Sequence, residues 1–508
     1  KEKEKWEDCT INPDVEKYLN KYNKIKMSEN RTFEQEIQNY TRKQVAASEF
    51  IEIVNELWFN KTVEILLFRN RLVDKKISDI LNIHQDSKAL VGDALSIFET
   101  LDILKAVKAI DLSPARVDIG KLAIIVREKG IKETDLQSFV EKELAGAKEF
   151  KPFEPKDVVL YGFGRIGRLA ARELIYHAGA GQQLRLRAIV TRDEINAKTL
   201  EKRANLLRQD SIHGDFEGLV EVDVERGALI INGTTVYIIS AKNSEEIDYT
   251  KYGINNALVI DNTGAFRDKE ALSRHLQSKG ASQVLLTAPG KGVPNVVLGV
   301  NEEMADVNTE SVFSAASCTT NAITPVLAVM NREFGVKKGH IETIHSYTND
   351  QNLVDNMHKK SRRGRAAAIN MVITETGAGS AVAKALPELA GKLTSNAIRV
   401  PVPNGSLAIL HLELDRTTST EEVQEVIRKE SLWGKLVEQI EYSTNPELVS
   451  SDIVGTVACS IFDAPATLTS ADGKNVTLYV WYDNEYGYTH QVIRFAKYLA
   501  GVRRYAFY

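Results

Sequence analysis

Cys318, in the string Ser-Ala-Ala-Ser-Cys318-Thr-Thr-Asn321, and His345, 27 residues further on, are the residue types whose spacing points most directly to chemistry. A thiol attacks carbon only as its thiolate, and a neighbouring imidazole or a helix N-terminus favours that form. The run Ala322–Phe334 reads as a helix that begins at Cys318. His345 lies in a strand-like run, Ile341–Tyr347, from which its ring can project toward the thiol. Taken singly, each has a plainer reading, a buried structural cysteine and a satisfied core histidine. Cys459 lacks such neighbours and reads as structural.

Upstream, Asp157–Tyr161 is an apolar strand signal that runs into Gly162-Phe-Gly164-Arg165-Ile166-Gly167 and then a helix over Arg168–Ala178. In such a loop the first glycine permits the tight turn, and the second lets a pyrophosphate approach the backbone. The third lets helix and strand pack closely, while the helix N-terminus faces the phosphates. The next strand, Leu186–Val190, ends in Thr191-Arg192-Asp193-Glu194. Asp193 suits the ribose 2′-hydroxyl of NAD, Arg192 the 2′-phosphate of NADP, and the choice stays open. Downstream, Thr348 and Asp350 follow His345, and a basic run covers Lys359–Arg365. Thr374-Glu-Thr376-Gly377 and Arg399 add hydroxyl, backbone and guanidinium donors suited to phosphate oxygens.

Three kinds of segment must carry these groups. Residues 28 to about 150 read as helical, with helices expected over Asn55–Asp74, Ser87–Ile110 and Asp118–Lys129 and no motif with chemistry of its own. Lys148–Lys156, with two prolines, reads as a linker. Beyond it, β-type runs alternate with helical stretches, as in units around a parallel sheet. After Cys318 come longer strands, His340–Ser346, Ala408–Leu414 and Val476–Tyr482, and a last helix near Asn484–Leu499. The fold class is therefore α/β: a Rossmann-type dinucleotide-binding domain and a mixed α+β catalytic domain, preceded by an all-helical amino-terminal extension. The expected boundaries are 1–150 for the extension, 151–317 for the Rossmann domain, completed by a C-terminal helix within 484–508, and 318–483 for the catalytic domain.

Composition agrees. The 508 residues are 43% hydrophobic and 26% charged with 12 prolines, typical of a globular protein. A net charge of -4 gives no overall drive toward nucleic acid, and no apolar run reaches membrane-spanning length. Three scattered cysteines fit neither a disulfide framework nor a zinc site, so we expect no metal and a reducing, cytoplasmic setting. The first 26 residues lack the apolar core of a secretory signal, and Met27 is a candidate start.

These motifs together resemble phosphorylating glyceraldehyde-3-phosphate dehydrogenases. The matching strings include Tyr161–Arg168, Asp210–Gly214, Ala316–Asn321, His345–Gln351, Arg362–Ala368, Arg399–Pro401 and Trp481–Gly487, in order over about 156–508. The resemblance implies oxidation of glyceraldehyde 3-phosphate to 1,3-bisphosphoglycerate through a Cys318 thioester, with His345 as base, in glycolysis or gluconeogenesis. It implies cofactor contacts from Gly162, Gly164, Arg165, Ile166, Gly167, Arg192, Asp193, Thr263 and Thr287, with Asn484 on the nicotinamide carboxamide. Thr348, Asp350 and Arg399 would hold the substrate phosphate, and Ser317, Thr319, Thr376, Gly377 and Arg363 inorganic phosphate. It also implies a homotetramer. A dehydrogenase acting on erythrose 4-phosphate and a non-catalytic protein on the same scaffold are the alternatives. The family's Asn-Asp after the second strand is replaced here by Val190-Thr191 followed by Arg192-Asp193, and the amino-terminal extension has no counterpart in its common members.

Overall fold

The computed structural model describes residues 32–150 and 153–508; Cys9 and Met27 lie outside them. The amino-terminal region opens with a helix over Phe33–Lys61, capped by a Thr32–Gln35 capping box. It ends at Thr62, whose left-handed conformation (φ 55°) turns the chain into strand β1, Glu64–Leu67. This corrects the helix expected over Asn55–Asp74. Trp58, Ile65, Phe68 and Leu72 are all buried, but on a helix, a strand and a turn rather than on one helix face. Burial on both sides of four consecutive residues is what an internal strand provides. Strand β2 (Asn70–Arg71) pairs antiparallel with β1, and β3 (Ala115–Asp118) pairs with it in parallel. The helix expected over Ser87–Ile110 is two, Ile77–Val91 and Ile97–Lys108, parted at Gly92 (φ 89°). Asp118 caps the helix Ile119–Lys129, its carboxylate accepting from the Gly120 and Lys121 amides. The region is thus mostly helical but not all-helical.

The second sheet follows the expected β-α alternation: β4 (Lys156–Tyr161), β5 (Leu184–Thr191), β6 (Val220–Asp223), β7 (Ala228–Ile231), β8 (Thr234–Ser240), β9 (Ala257–Asp261), β10 (Ala281–Leu286) and β11 (Val312–Ser314). Its order is β11-β10-β9-β4-β5-β8-β7-β6, parallel from β11 to β8, with β7 and β6 as an antiparallel edge. The chain winds outward in both directions from the β4/β9 seam, so the carboxyl ends of β4, β9, β10 and β11 share one edge, the usual ligand edge of such sheets.

The third sheet holds β12 (Val336–Ser346), β13 (Val372–Thr374), β14 (Leu393–Val400), β15 (Ser406–Leu414), β16 (Ile440–Ser443), β17 (Ser460–Asp463), β18 (Leu468–Thr469) and β19 (Asn475–Tyr482). It is mixed, in the order β13-β14-β12-β15-β19-β17-β16 with β18 beside β19. The helix Cys318–Phe334 covers one face, and its residues Ile323, Val326, Leu327 and Met330 share a buried cluster with Leu410 and Leu478 of the sheet.

The last helix, Tyr486–Leu499, packs Val492, Ile493 and Phe495 into the core of the second sheet. It does not continue to the end of the chain. Tyr505–Phe507 leave it as β20, which pairs with β3 and completes the amino-terminal sheet β2-β1-β3-β20. The tail of the chain is thereby hydrogen-bonded into the sheet of the amino-terminal region.

Candidate active site

The glycine loop leaves β4 with Gly162 at φ 101°, a conformation that side chains with a Cβ rarely adopt. A Cβ on Gly167 would lie 2.4 Å from the Gly162 carbonyl oxygen, so this glycine permits the helix to abut the strand. A Cβ on Gly164 would meet no protein atom; it would project into open space at the start of the helix Arg165–Tyr176. The three glycines thus serve turn, open approach and close packing, which is the fit a dinucleotide requires. A cleft of about 340 Å³ begins at this loop and is lined further by Thr191, Arg192, Asp193, Arg203 and Thr263.

Within that cleft the structure adds Arg203, which the sequence reading did not single out. It forms an ion pair with Asp193, while Arg192 is exposed. Only tertiary folding brings residue 203 back onto residue 193, so no motif marked it. Arg165 is engaged otherwise than a loose cofactor contact would be. Its guanidinium donates to Asp210 (2.8 and 3.1 Å) and to Glu485 (2.7 and 2.6 Å), joining the loop after the helix Ala197–Arg208 to the turn before the last helix. Ile166 packs on the core of the second sheet. Thr263 and Thr287 bond to Asp261 at the end of β9: both Thr263 groups reach its carboxylate (2.8 and 2.7 Å), and Thr287 its carbonyl (3.0 Å).

Cys318 stands four residues beyond the end of β11, on the same sheet edge as the glycine loop. The Ser317 side chain caps its helix, accepting from the Thr320 amide at 3.0 Å. Ala316, just before it, sits at φ 54°, which costs about 1–3 kcal/mol for a residue with a Cβ. The strained turn is held by the Ala316 amide donating to Ser314 Oγ (3.0 Å) and by Tyr488 donating to the Ala316 carbonyl (2.9 Å). Asn321 braces it further, donating to the Ala315 and Ser317 carbonyls at 2.8 and 3.0 Å.

Cys318 Sγ lies 3.6 Å from His345 Nε2. The His345 Nδ1 is 2.7 Å from the Ser346 carbonyl, which can only accept, and 2.6 Å from the Arg399 guanidinium, which can only donate, so its two contacts favour opposite tautomers. Sheet register explains how Arg399 arrives: β12 and β14 run parallel with His345 directly opposite Arg399. Its guanidinium donates to the same Ser346 carbonyl at 2.7 Å and lies 2.6 Å from Nδ1. Burial and then the Arg399 charge push the imidazole down to about 3, so His345 is neutral near pH 7. Burial pushes the Cys318 thiol up, and Arg399 opposes this. Burial thus works against the thiolate that the helix N-terminus favours, while Arg399 and the hydrogen bonds at the helix start work for it.

Tyr482, from the end of β19, is a further neighbour that sequence alone did not mark. Its hydroxyl bridges Thr319 (3.0 Å) and Thr343 (2.8 Å), and its ring meets His345 edge-on at 5.9 Å. The Asn484 side-chain oxygen accepts from Ser406 Oγ at 2.8 Å, and the same Oγ accepts from the Ser346 amide at 3.1 Å. One hydroxyl thus ties the strand carrying His345 to the turn carrying Asn484. The buried Asp483 fixes that turn, accepting from the Glu485 and Tyr486 amides at 2.8 Å.

Among the phosphate-site candidates, Thr348, Asp350, Arg363 and Thr374 form one chain of contacts, with Asp350 accepting from Thr348 and Arg363, and Arg363 Nε donating to Thr374 at 3.1 Å. Arg363 thus sits with Thr348 and Asp350 rather than with Ser317 and Thr319, which lie at the start of the Cys318 helix. Thr376 and Gly377 stand at the start of the helix Ala378–Ala385, where the Ala378 amide donates to Thr376 Oγ1 (3.3 Å).

Comparison with known proteins adds the following. Residues 156–269 match the family model described as the NAD-binding domain of glyceraldehyde 3-phosphate dehydrogenase, and 317–484 match that of its C-terminal domain. The chain is 47% identical over 464 residues to a glyceraldehyde-3-phosphate dehydrogenase-like protein of Pseudomonas aeruginosa, covering 90% of this chain and 99% of that one. It is 40% identical over 352 residues to the glyceraldehyde-3-phosphate dehydrogenase of Clostridium pasteurianum, and 39% over 344 residues to that of Geobacillus stearothermophilus. These two matches take in 68% of this chain and 99% and 98% of the relatives. The Pseudomonas match is longer than the stretch from residue 151 to the end, so it reaches into the amino-terminal region.

Proposed function

The chain belongs to the glyceraldehyde-3-phosphate dehydrogenase family, and from that premise we propose that it oxidises D-glyceraldehyde 3-phosphate to 1,3-bisphosphoglycerate with inorganic phosphate and NAD or NADP. The observation that carries the reading is the 3.6 Å approach of Cys318 Sγ to a neutral imidazole at the ligand edge of a dinucleotide sheet. In the cycle we assign, His345 Nε2 takes the thiol proton as Cys318 sulfur bonds to the aldehyde carbon. It passes that proton to the new oxyanion, giving a hemithioacetal, and then removes it again as the oxidation proceeds. A nicotinamide dinucleotide held by the glycine loop and Asn484 would supply the hydride acceptor. The thioester left on Cys318 is cleaved by phosphate oxygen, which restores the thiolate and releases the acyl phosphate. Arg399, in register with His345, is the nearest fixed positive charge and offsets the charge developed on sulfur and oxygen.

We assign Thr348, Asp350 and Arg399 to the substrate phosphate, and Ser317, Thr319, Thr376, Gly377 and Arg363 to the attacking phosphate; the contact of Arg363 with Asp350 puts it at the boundary between the two. Asn484 is assigned to the nicotinamide carboxamide. Asp193 is paired with Arg203, and Arg192 has no carboxylate within 4.0 Å among the described residues, which favours a 2′-phosphate and hence NADP. We read the chain as three units, an amino-terminal region, a dinucleotide-binding domain and a catalytic domain. Exposed Leu353, Val354, Met357, Ile369, Met371 and Ile373 support burial against other copies in a homotetramer. Thiol chemistry of this kind fits a reducing, cytoplasmic setting.

Steady-state turnover of glyceraldehyde 3-phosphate with NAD and NADP, each with and without phosphate, is the test. We expect turnover that requires phosphate and a higher kcat/KM with NADP. Phosphate-independent turnover would sink the phosphorylating assignment.

A further inference from the structure

Where β3, the far end of the helix Tyr486–Leu499 and the terminal tail meet lies another, partly open cavity of about 550 Å³. Its walls include Arg116, Arg494, Lys497 and Arg504, with Phe150 and Tyr498 as aromatic neighbours. The pocket follows the helix from His490 to Lys497, four and eleven residues from Tyr486, so its far end lies about 17 Å along the axis from the helix start. It is separate from the cleft assigned to catalysis.

The charges around it do not balance. Arg71, Arg116, Arg494, Lys497 and Arg504 face three carboxylates, Glu64, Glu173 and Glu438. Each carboxylate is already engaged. Glu64 meets Arg116 at 2.8 Å and Arg71 at 3.4 Å, and Glu438 accepts from Arg116 (2.6 Å), Tyr508 (2.7 Å) and Arg494. Glu173 accepts from His490 (2.8 Å), His177 (3.3 Å) and Tyr486. Lys497 and Arg504 have no carboxylate within 4.0 Å among the described residues. Arg504 is only 7% exposed, and its Nε has no hydrogen-bond partner. Burial and the neighbouring Arg504 and Arg116 push Lys497 down to about 7, and burial takes Arg504 down to about 10. Arg504 donates to the His177 carbonyl (3.4 Å) and stacks on Trp58. Its buried Nε, however, faces the partly buried Lys497 side of the pocket without an anionic partner, and an anion between the two cations offsets that cost.

We propose that this cavity binds a small phosphate-bearing anion, which bridges the amino-terminal region and the core. Phosphate supplies two charges and several acceptor oxygens, matching one ammonium and one orphaned guanidinium edge. The neighbouring triad Glu173, His177 and His490 brings its ligand atoms within 4.8 Å of one another, a spacing that also suits a metal ion. Its carboxylate, however, already accepts from both rings, and the surplus cations next to it repel a metal. The cavity is therefore assigned to an anion.

The test is calorimetric titration of pyrophosphate, and separately of ATP, into the full chain with its dinucleotide cleft saturated by NADP. Thermal unfolding is followed in parallel. Both probes should bind and raise the unfolding temperature, because phosphate is the group recognised. Lys497→Met/Arg504→Met should weaken both by about tenfold or more, whereas Lys497→Arg, which keeps the charge, should stay within about twofold. Arg399→Met, in the catalytic cleft, should leave this binding intact. If neither probe binds the unaltered chain, if the double variant binds both undiminished, or if ATP binds and pyrophosphate does not, the proposal is overturned. None of these readouts depends on dehydrogenase activity, so failure here and failure of the catalytic assignment are separately visible.

Discussion

The cleft around Cys318 and the joint between the amino-terminal region and the core both bury charged groups, and they treat them oppositely. At the joint each carboxylate is paired with cations, although Glu64 Oε1 itself accepts no hydrogen bond among the described residues: burial alone would raise Glu64, but Arg116, His177 and Arg71 hold it well below the ordinary carboxylate range. In the cleft the key contact is long, 3.6 Å, Arg399 Nε has no partner, and Ala316 is strained. Satisfied networks contribute to stability and specificity of docking, while incompletely satisfied groups keep reactivity in reserve. The two regions should therefore separate in experiment, the cleft governing rate and the joint governing stability.

The largest expected effect is on rate. Cys318→Ser should lower turnover by about 10³-fold or more while shifting the unfolding midpoint little; full-rate turnover by that variant would remove the nucleophile assignment. His345→Asn should follow with a loss of about 10²–10⁴-fold in kcat, measured at pH 7 to 8. An unchanged rate would dissolve the contrast, since the histidine would then be structural like those at the joint.

The joint should answer in stability. Arg116→Met leaves Glu64 and Glu438 short of a partner and should destabilise by about 3–5 kcal/mol in denaturant unfolding, with kcat nearly unchanged. A midpoint equal to that of the unaltered chain would mean the network is ornamental. A smaller effect follows from His177, which burial and Lys497 push down to about 4, against roughly 6.5 in an unfolded chain. The unfolded chain takes up the proton first. Its stabilisation is thus complete above about pH 6.5 and is lost as the pH falls toward 4, by about 2–3 kcal/mol. His177→Gln should flatten that window, and a variant with the same pH profile as the parent would exclude His177 as the source.

What sequence makes legible follows the same divide. Strands such as β4 and β5 of the second sheet were readable because each holds an apolar run bounded by its own turn signals. The Cys318 helix was readable because Ser317 and the following apolar spacing are local. The amino-terminal sheet was not, since β1, β3 and β20 are four residues or fewer and pair across 50 to several hundred positions. Nothing local in Tyr505–Phe507 distinguishes a frayed terminus from a strand that closes a sheet. Arg203 was missed for another reason: it is only ten residues from Asp193, but a surface arginine on a helix gives no hint that it reaches back to it.

The order of residues along the chain determined the chemistry on offer here: a glycine loop after a strand, then a thiol at a helix start, then an imidazole in a strand. Each depends on neighbours within a few positions, and local backbone preference decides those. Folding in three dimensions decided the burial that raises the Cys318 thiol and lowers the His345 imidazole, the pairing of Arg399 with the imidazole, and the surplus of positive charge beneath the tail. Those depend on burial and on distances between groups far apart in sequence, and both come into existence only when the sheets close.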